Sequence, residues 1–165
     1  MPPLFQFREA FQDVAYRSIM PTNLGSAELQ QLGRDVINNS FFSARNTLTD
    51  LLEVEKAKVL QLTQGEIDIA SARLEVKQMA ARLGYEPDED KRGGLQDLSS
   101  TPRVNLVLKT NQQIAQGYAY DRQGQTEAIL DEWPAQELFR AETRAVPRGE
   151  KRTKEGIEPD PENAW

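Results

Sequence analysis

The chain has 165 residues, of which 38% are hydrophobic and 28% charged, and a formal net charge of -6 at pH 7. This length predicts one domain, or one domain with appendages, and the negative charge disfavours a general nucleic-acid binder, which relies on clustered lysine and arginine. The chain has no cysteine and no histidine, which excludes disulfides, Cys or His metal sites, Ser-His-Asp triads and cysteine nucleophiles.

The distribution of apolar residues disfavours further classes. No apolar run reaches the roughly 18 residues that a membrane span requires. The N-terminus carries an acidic residue too early, and an apolar run too short, for a secretory signal, so we expect a cytoplasmic protein. Dinucleotide-binding and P-loop motifs are absent from the sequence. We therefore expect no catalytic residues, no cofactor and no metal, and we interpret the protein as a non-enzyme.

The first predicted element is an amphipathic helix over residues 4–17. Its apolar positions recur on one face at Leu4, Phe7, Phe11 and Val14. Pro21 cannot continue a helix and restricts the residue before it. We therefore predict that residues 1–20 form a helical arm, separate from a helical core domain over residues 26–146.

A second helix is predicted to start at Ser26, whose hydroxyl can cap it, with an apolar stripe that runs to Ile37. A long, coiled-coil-like helix is predicted from Ser40. Its stripe contains Phe41, Ala44, Leu48, Leu51, Val59 and Leu62, and is interrupted by Glu55.

Two short signals predict an αα-hairpin in the middle of the chain. Gly65 suits the left-handed end of the long helix, and Asp68 can cap the next helix, which Gly84 terminates. Two helices joined by so short a turn pack antiparallel.

The helix predicted over residues 102–123 has the clearest start signal. Ser99, Ser100 and Thr101 offer capping oxygens, and Pro102 suits the first helical position. Its apolar stripe is Val104, Val107, Leu108, Ile114, Ala115 and Tyr118. Thr110 and Asn111 interrupt this stripe, and we predict that they are structural polar residues, which need partners or a wet groove.

The C-terminal part is predicted to become less regular. Thr126 can cap a short helix that ends before Trp133. Residues 137–144 fit either a short edge strand or a helix, and we favour the strand because prolines bracket the segment. Residues 147–165 have the composition of a flexible tail that orders on a partner.

Large apolar side chains are the interface candidates. They are Phe7, Phe11, Phe41, Phe42, Trp133, Phe139 and Trp165. A pair such as Phe41 and Phe42 is more often found in a core than in an interface. Trp165 fits equally an anchor that docks on a partner and a fraying chain end.

Several sequence segments together resemble the phage head morphogenesis family, the minor head proteins typified by the phage Mu F protein. They are FFSAR at 41–45, GEIDIASARLEVKQMAARLGY at 65–85, LQDLSS at 95–100, RVNLVLKTNQQIAQGY at 103–118 and WPAQELFR at 133–140. The resemblance implies a virion head protein that associates with the portal and the shell during assembly, or travels inside the capsid. Thr110 and Asn111 are the positions carried over, as polar residues of the central helix. Larger relatives continue into a region with Asp, Arg and often His. This chain has no histidine, so no metal or catalytic role is carried over.

The combined expectation is a mainly α protein: a helical bundle with an αα-hairpin, a short edge strand, an N-terminal arm and a C-terminal tail. Its expected role is head assembly by binding portal or capsid proteins in many copies, in the virion and in the host cytoplasm, without membrane or specific nucleic-acid binding. The alternative is a small intracellular regulator or inhibitor that docks on one protein partner.

Overall fold

The computed structural model describes residues 4–132, with side chains from residue 8 onward. The chain divides into one unit at Met1–Asp131 and a second at Glu132–Trp165. The predicted strand at 137–144, the tail at 147–165 and the candidates Trp133, Phe139 and Trp165 lie outside the described residues. The side chain of Phe7 does so too, and the predicted core boundary at residue 146 stays a prediction.

The described part of the chain is mainly helical, as predicted. Its elements are α1 (Leu4–Tyr16), β1 (Ser18–Ile19), α2 (Ser26–Leu29), α3 (Arg34–Asn39), β2 (Ser40–Phe41), α4 (Thr49–Gln64), α5 (Ile69–Arg82), α6 (Thr101–Gly124) and α7 (Glu127–Glu132). Helix α6 packs against α1, α4 and α5, and most extensively against α1. The core therefore lies around α6, and its fully buried side chains include Val14, Leu52, Val59, Val76, Val104 and Leu108.

The αα-hairpin is confirmed in its position and in its signals. Helix α4 ends at Gly65, whose φ of 73° is left-handed. Asp68 caps α5, because its Oδ1 accepts hydrogen bonds from the backbone N–H groups of Ala70 and Ser71 at 2.8 and 3.0 Å. Gly84 has a φ of 68° just after the end of α5. Local capping chemistry therefore fixes both helices at the turn between them.

The start of α6 also follows its sequence signal, with a shift of one residue. Ser100 is the cap, and its Oγ accepts a hydrogen bond from the backbone N–H of Arg103 at 3.2 Å. The helix begins at Thr101, so Pro102 is its second residue and not its first.

The predicted long helix from Ser40 is wrong in its first part. Ser40 and Phe41 form β2, which pairs in parallel with β1, and the backbone N–H of Met20 donates to the carbonyl of Phe41 at 3.0 Å. Arg45 has a φ of 56°, which a helix cannot accommodate. Pairing with a distant segment therefore overrides the local helical period, and α4 begins only at Thr49.

The second predicted helix is divided into two short ones. Gly25 is the cap of α2 and Ser26 is its first residue. The Glu28 carboxylate accepts a hydrogen bond from the backbone N–H of Gly25 at 2.7 Å. Helix α3 starts anew after Gly33, so the apolar stripe does not belong to one continuous helix.

The structure packs the predicted N-terminal arm into the core. Ala10 and Val14 of α1 are 2% and 0% exposed and belong to the same core cluster as residues of α4 and α6. The Lys56 Nζ of α4 donates to the backbone carbonyls of Ala15 and Arg17 at 3.0 and 2.7 Å. A separable arm stays a prediction for residues 1–20, and this packing argues against it.

Candidate functional site

Helices α1, α3 and α6 enclose a surface groove of about 730 Å³. Glu9, Asp13 and Tyr16 of α1 form one side of it together with Arg17, which follows the helix. The other side is formed by residues of α6, and Asn38 and Asn39 at the end of α3 also contribute. The α6 residues are Ile114, Gly117, Tyr118, Asp121 and Arg122. We call this the α1–α6 groove. Its volume lies in the range of sites that hold small ligands or short segments.

The α1 side of the groove combines buried charge with unfilled hydrogen-bonding positions. Asp13 and Arg17 form an ion pair, with 11% and 8% of their side chains exposed. Burial raises the pKa of Asp13, partly offset by the charge and the hydrogen bond of Arg17. The Oε2 of Glu9 and the Nε of Arg17 are buried, and neither has a hydrogen-bond partner within the described part of the chain. Such atoms are rare in folded proteins, and among the described residues the Nε of Arg103 in the core is another.

The α6 side presents exposed apolar surface. Ile114 and Tyr118 are 48% and 43% exposed, although their spacing predicts an inward position. Ala115 and Ala119 face the core instead, at 0% and 1% exposure. Small side chains on the inward face permit close helix packing, and this phase places the larger residues beside the groove.

Gly117 lies between these residues in the interior of α6. A Cβ atom added to it would meet nothing within 4 Å. Glycine in a helix interior costs roughly 0.5–1 kcal/mol relative to alanine. Packing within the described part of the chain therefore does not explain why this position is a glycine.

A second polar cluster is enclosed in the core. Glu55 of α4 is 1% exposed and Asn46 is 0% exposed, and the Nδ2 of Asn46 donates to the Oε2 of Glu55 at 3.4 Å. Burial raises the pKa of Glu55 to about 7, against the lowering effects of the Arg103 charge and the Asn46 hydrogen bond. Burial thus favours the protonated form of this carboxyl group, and the Arg103 charge favours the ionised form.

Arg103 joins this cluster to the turn after β2. Its Nη2 donates to the Ser43 Oγ at 2.6 Å and to the Ala44 carbonyl. Burial lowers the pKa of Arg103, and the Glu55 charge opposes that change. Since the cluster is closed to solvent, its role is to hold the turn against α4 and α6.

The sequence does indicate that Glu55 is buried, although the prediction treated this residue only as an interruption of the apolar stripe. Leu51, Glu55, Val59 and Leu62 follow one another at helical spacing, and all four are buried. An acidic residue in an inward stripe indicates a buried carboxyl group with a partner, and not only an interruption. No comparable local signal identifies Glu9 or Arg17, because the groove depends on how α1 packs on α6.

The aromatic interface candidates divide into different environments. Phe41 is 0% exposed and part of the core cluster, where it pairs with Ile19 through β2. This burial argues against an interface role, which stays a prediction. Phe11 and Phe42 are half-buried.

The predicted structural polar residues also differ from each other. Thr110 is exposed, and Asn111 is half-buried. The Nδ2 of Asn111 donates to the carbonyl of Val107 at 2.9 Å, so its partner is the backbone of its own helix and not another element.

Within residues 4–132, no group of three or more acidic residues is placed to hold a metal ion. No helix in this range is both long and apolar enough to cross a membrane.

Comparisons with known proteins give no match: no family model, no curated protein and no solved structure corresponds to this chain.

Proposed function

We propose that the protein is a phage minor head protein that acts in head assembly by binding portal or capsid proteins. The observation that supports a binding role best is the α1–α6 groove, where the exposed side chains of Ile114 and Tyr118 line the same groove as the Asp13–Arg17 ion pair. Exposed tyrosines next to a well-packed scaffold are common anchors of protein interfaces.

The identity of the partner rests on the sequence resemblance. The segment at 65–85 contains α5, and the segment at 103–118 covers most of α6. The second of them includes Ile114, Gly117 and Tyr118, so the resemblance extends to the α6 side of the groove. The segment that resembles the family and one side of the candidate binding surface therefore lie on the same helix.

The proposed mechanism is docking without covalent chemistry. Tyr16 is 83% exposed, and its ring can lose solvent contact against a partner together with Ile114 and Tyr118. Each contact is modest, but a portal or shell repeats the same surface many times. Many copies of one weak contact can give stable attachment, provided that they engage simultaneously.

Co-expression with any portal and capsid proteins that are encoded beside its gene tests this proposal. We expect the full chain to co-sediment with portal rings or capsids, and a variant with Ile114→Ser and Tyr118→Ser to lose that association. Leu74→Ser is the matched control, because Leu74 is 57% exposed on α5 and does not line the groove.

Two outcomes would contradict the proposal. In the first, the wild-type chain stays free of both portal rings and capsids but forms a defined complex with a single other protein, which would support the regulator alternative. In the second, the groove variant and the Leu74 control associate equally well, which would place the binding surface elsewhere.

A further inference from the structure

We propose that Arg103 is a latch with two positions. It holds the turn at residues 43–46 while the Glu55 carboxyl group is protonated, and it moves to pair with Glu55 when that group ionises, which releases the turn. The latch acts within the fold, whatever partner the protein binds.

The Arg103 guanidinium has a bonded nitrogen and an unbonded one. Its Nη2 donates to the Ser43 Oγ at 2.6 Å and to the Ala44 carbonyl. Its Nε is buried and has no hydrogen-bond partner within the described part of the chain. Because buried donors without partners are rare, this arrangement favours a second position of the side chain in which Nε is bonded.

Glu55 lies where an ionised carboxylate needs a further partner. Its side chain is 1% exposed, and its hydrogen bond from the Asn46 Nδ2 is long, at 3.4 Å. A neutral carboxyl group tolerates such a site, whereas a buried charge requires an opposite charge and good hydrogen bonds. Ionisation therefore creates a demand that Asn46 alone does not meet.

Arg103 is the charge that can meet this demand. Burial raises the pKa of Glu55 to about 7, and the Arg103 charge lowers it, yet no ion pair joins these two described side chains. The ionised carboxylate attracts the guanidinium, whose Nε is free to donate. A shift of about 1 Å away from Ser43 stretches the bond to its Oγ beyond hydrogen-bonding distance, so pairing with Glu55 competes with the turn.

The charged groups of α5 are bound elsewhere or exposed. Glu75 forms an ion pair with Lys58 of α4. Arg73 and Lys77 donate hydrogen bonds to side chains of α6, and Arg82 is exposed. The remaining charged residues of α6 are also exposed: Lys109, Asp121 and Arg122.

The charged groups of α1 have other surroundings too. Glu9, Asp13 and Arg17 line the α1–α6 groove, and Arg8 is exposed. Lys56 of α4 donates to backbone carbonyls at the end of α1, and β1 contains no charged residue.

Tyr85, which follows α5, acts on Arg103 in addition to Glu55. Its hydroxyl accepts a hydrogen bond from the backbone N–H of Leu98 at 3.1 Å. A tyrosine hydroxyl ionises only near pH 10, so Glu55 is the member of this cluster whose charge changes around neutral pH.

The turn that the latch holds is strained and fastens a second segment. Arg45 has a φ of 56°, a left-handed conformation that is unfavourable for a residue other than glycine. Its backbone N–H donates to the Leu24 carbonyl at 2.9 Å, and the Asn46 carbonyl accepts the Thr22 N–H at 2.9 Å. Release of the turn therefore loosens residues 22–24 as well.

NMR of the native full chain tests the latch, with spectra recorded between about pH 5 and 8.5. The Arg103 Nε–H signal should move downfield as Nε begins to donate to a carboxylate, with the same midpoint as the Glu55 carboxyl carbon. Backbone order parameters of residues 43–46 should fall from about 0.85 to below about 0.6, while those in the interior of α6 stay high.

Three variants identify the groups involved. Glu55→Gln cannot ionise, so both the Nε–H signal and the order of the turn should stay constant with pH. Glu53→Gln is the matched control, because Glu53 is exposed on the same helix, and it should behave as the wild type. Ser43→Ala removes one acceptor of Arg103 and keeps the acid, so it should move the midpoint to lower pH even if Glu55→Gln fails to fold.

Four results would overturn the inference. The turn stays rigid at every pH; the Nε–H signal moves without any loss of order in the turn, which would show that Arg103 serves both partners at once; α6 loses order to the same extent as the turn; or Ser43→Ala leaves the midpoint unchanged.

Discussion

The Nδ2 atom of Asn46 donates a hydrogen bond to the Oε2 atom of Glu55 at 3.4 Å, and both side chains are withdrawn from solvent. The same Asn46 accepts the backbone N–H of Leu48 at its Oδ1, at 3.0 Å, and its backbone carbonyl accepts the N–H of Thr22 at 2.9 Å. One asparagine therefore joins the approach to α4, the segment after β1 and the buried carboxyl group.

Stability should fall as pH rises through the range in which Glu55 ionises. Burial raises its pKa from 4.5 to about 7, so the folded state binds this proton more tightly than the unfolded state. The contribution is fully present below pH 4.5, decreases between 4.5 and about 7, and is lost above that. The expected loss is about 3 kcal/mol, measured by urea unfolding at a series of pH values between about 5 and 8.

Glu55→Gln is the control for this pH dependence. The glutamine oxygen can still accept from Asn46, and it carries no charge to bury. We expect the variant to be more stable than the wild type at about pH 8 and to show a flatter profile. Equal slopes for the two proteins would assign the pH dependence to other groups.

Arg103→Met should destabilise the protein by about 3 kcal/mol, because it removes the hydrogen bonds to Ser43 and Ala44 and leaves Glu55 without its positive neighbour. Hydrogen exchange should accelerate first in residues 42–48. The exposed Arg122→Met serves as the control, with an expected change within about 0.5 kcal/mol. Unchanged exchange at 42–48 would show that Arg103 does not hold the turn.

Removal of residues 1–20 should abolish cooperative thermal unfolding, contrary to the expectation of a separable arm. The deletion uncovers core surface that Ala10 and Val14 now cover. The milder Val14→Ala should cost about 1.5–3 kcal/mol, while Tyr16→Ser, at an 83% exposed position, should be nearly neutral. A truncated chain that unfolds in a sharp transition with unchanged Tm would support the prediction of a separable arm.

Asn111→Leu should change stability by less than about 1 kcal/mol, since Asn111 bonds only to the backbone of its own helix. Leu108→Ala should cost about 2–5 kcal/mol, because Leu108 is 0% exposed. Denaturant midpoints of the two variants test the comparison. If Asn111→Leu unfolds the protein, then Asn111 has a network role that its half-buried position does not reveal.

The sequence predicts those parts of the fold that depend on neighbouring residues. Gly65, Asp68 and Ser100 act within one turn of their helices, and each performs its predicted role. The amphipathic period of α1 likewise predicts its extent to within a residue.

What could not be predicted depends on distant partners. The pairing of Ile19 with Phe41 joins segments more than twenty residues apart, and nothing local distinguishes Phe41 from a helical core residue. The α1–α6 groove forms only when α1 packs on α6, so the exposure of Ile114 and Tyr118 follows from tertiary packing and not from their spacing.

The two-residue pairing of β1 with β2 holds together the two ends of the segment between them. Residues 20–39 leave the bundle at one end of the pairing and return at the other. The start of this segment is tied to the approach to α4, because the Thr22 N–H donates to the Asn46 carbonyl and the Leu24 carbonyl accepts from Arg45. Changes of length or composition at the exposed positions 33–36 leave those bonds in place. Loop-closure entropy grows only slowly with length, which makes such changes inexpensive in free energy. Because Asn38 and Asn39 lie at the end of this segment and line the groove, substitutions there alter what the groove presents to a partner while the helical scaffold stays unchanged.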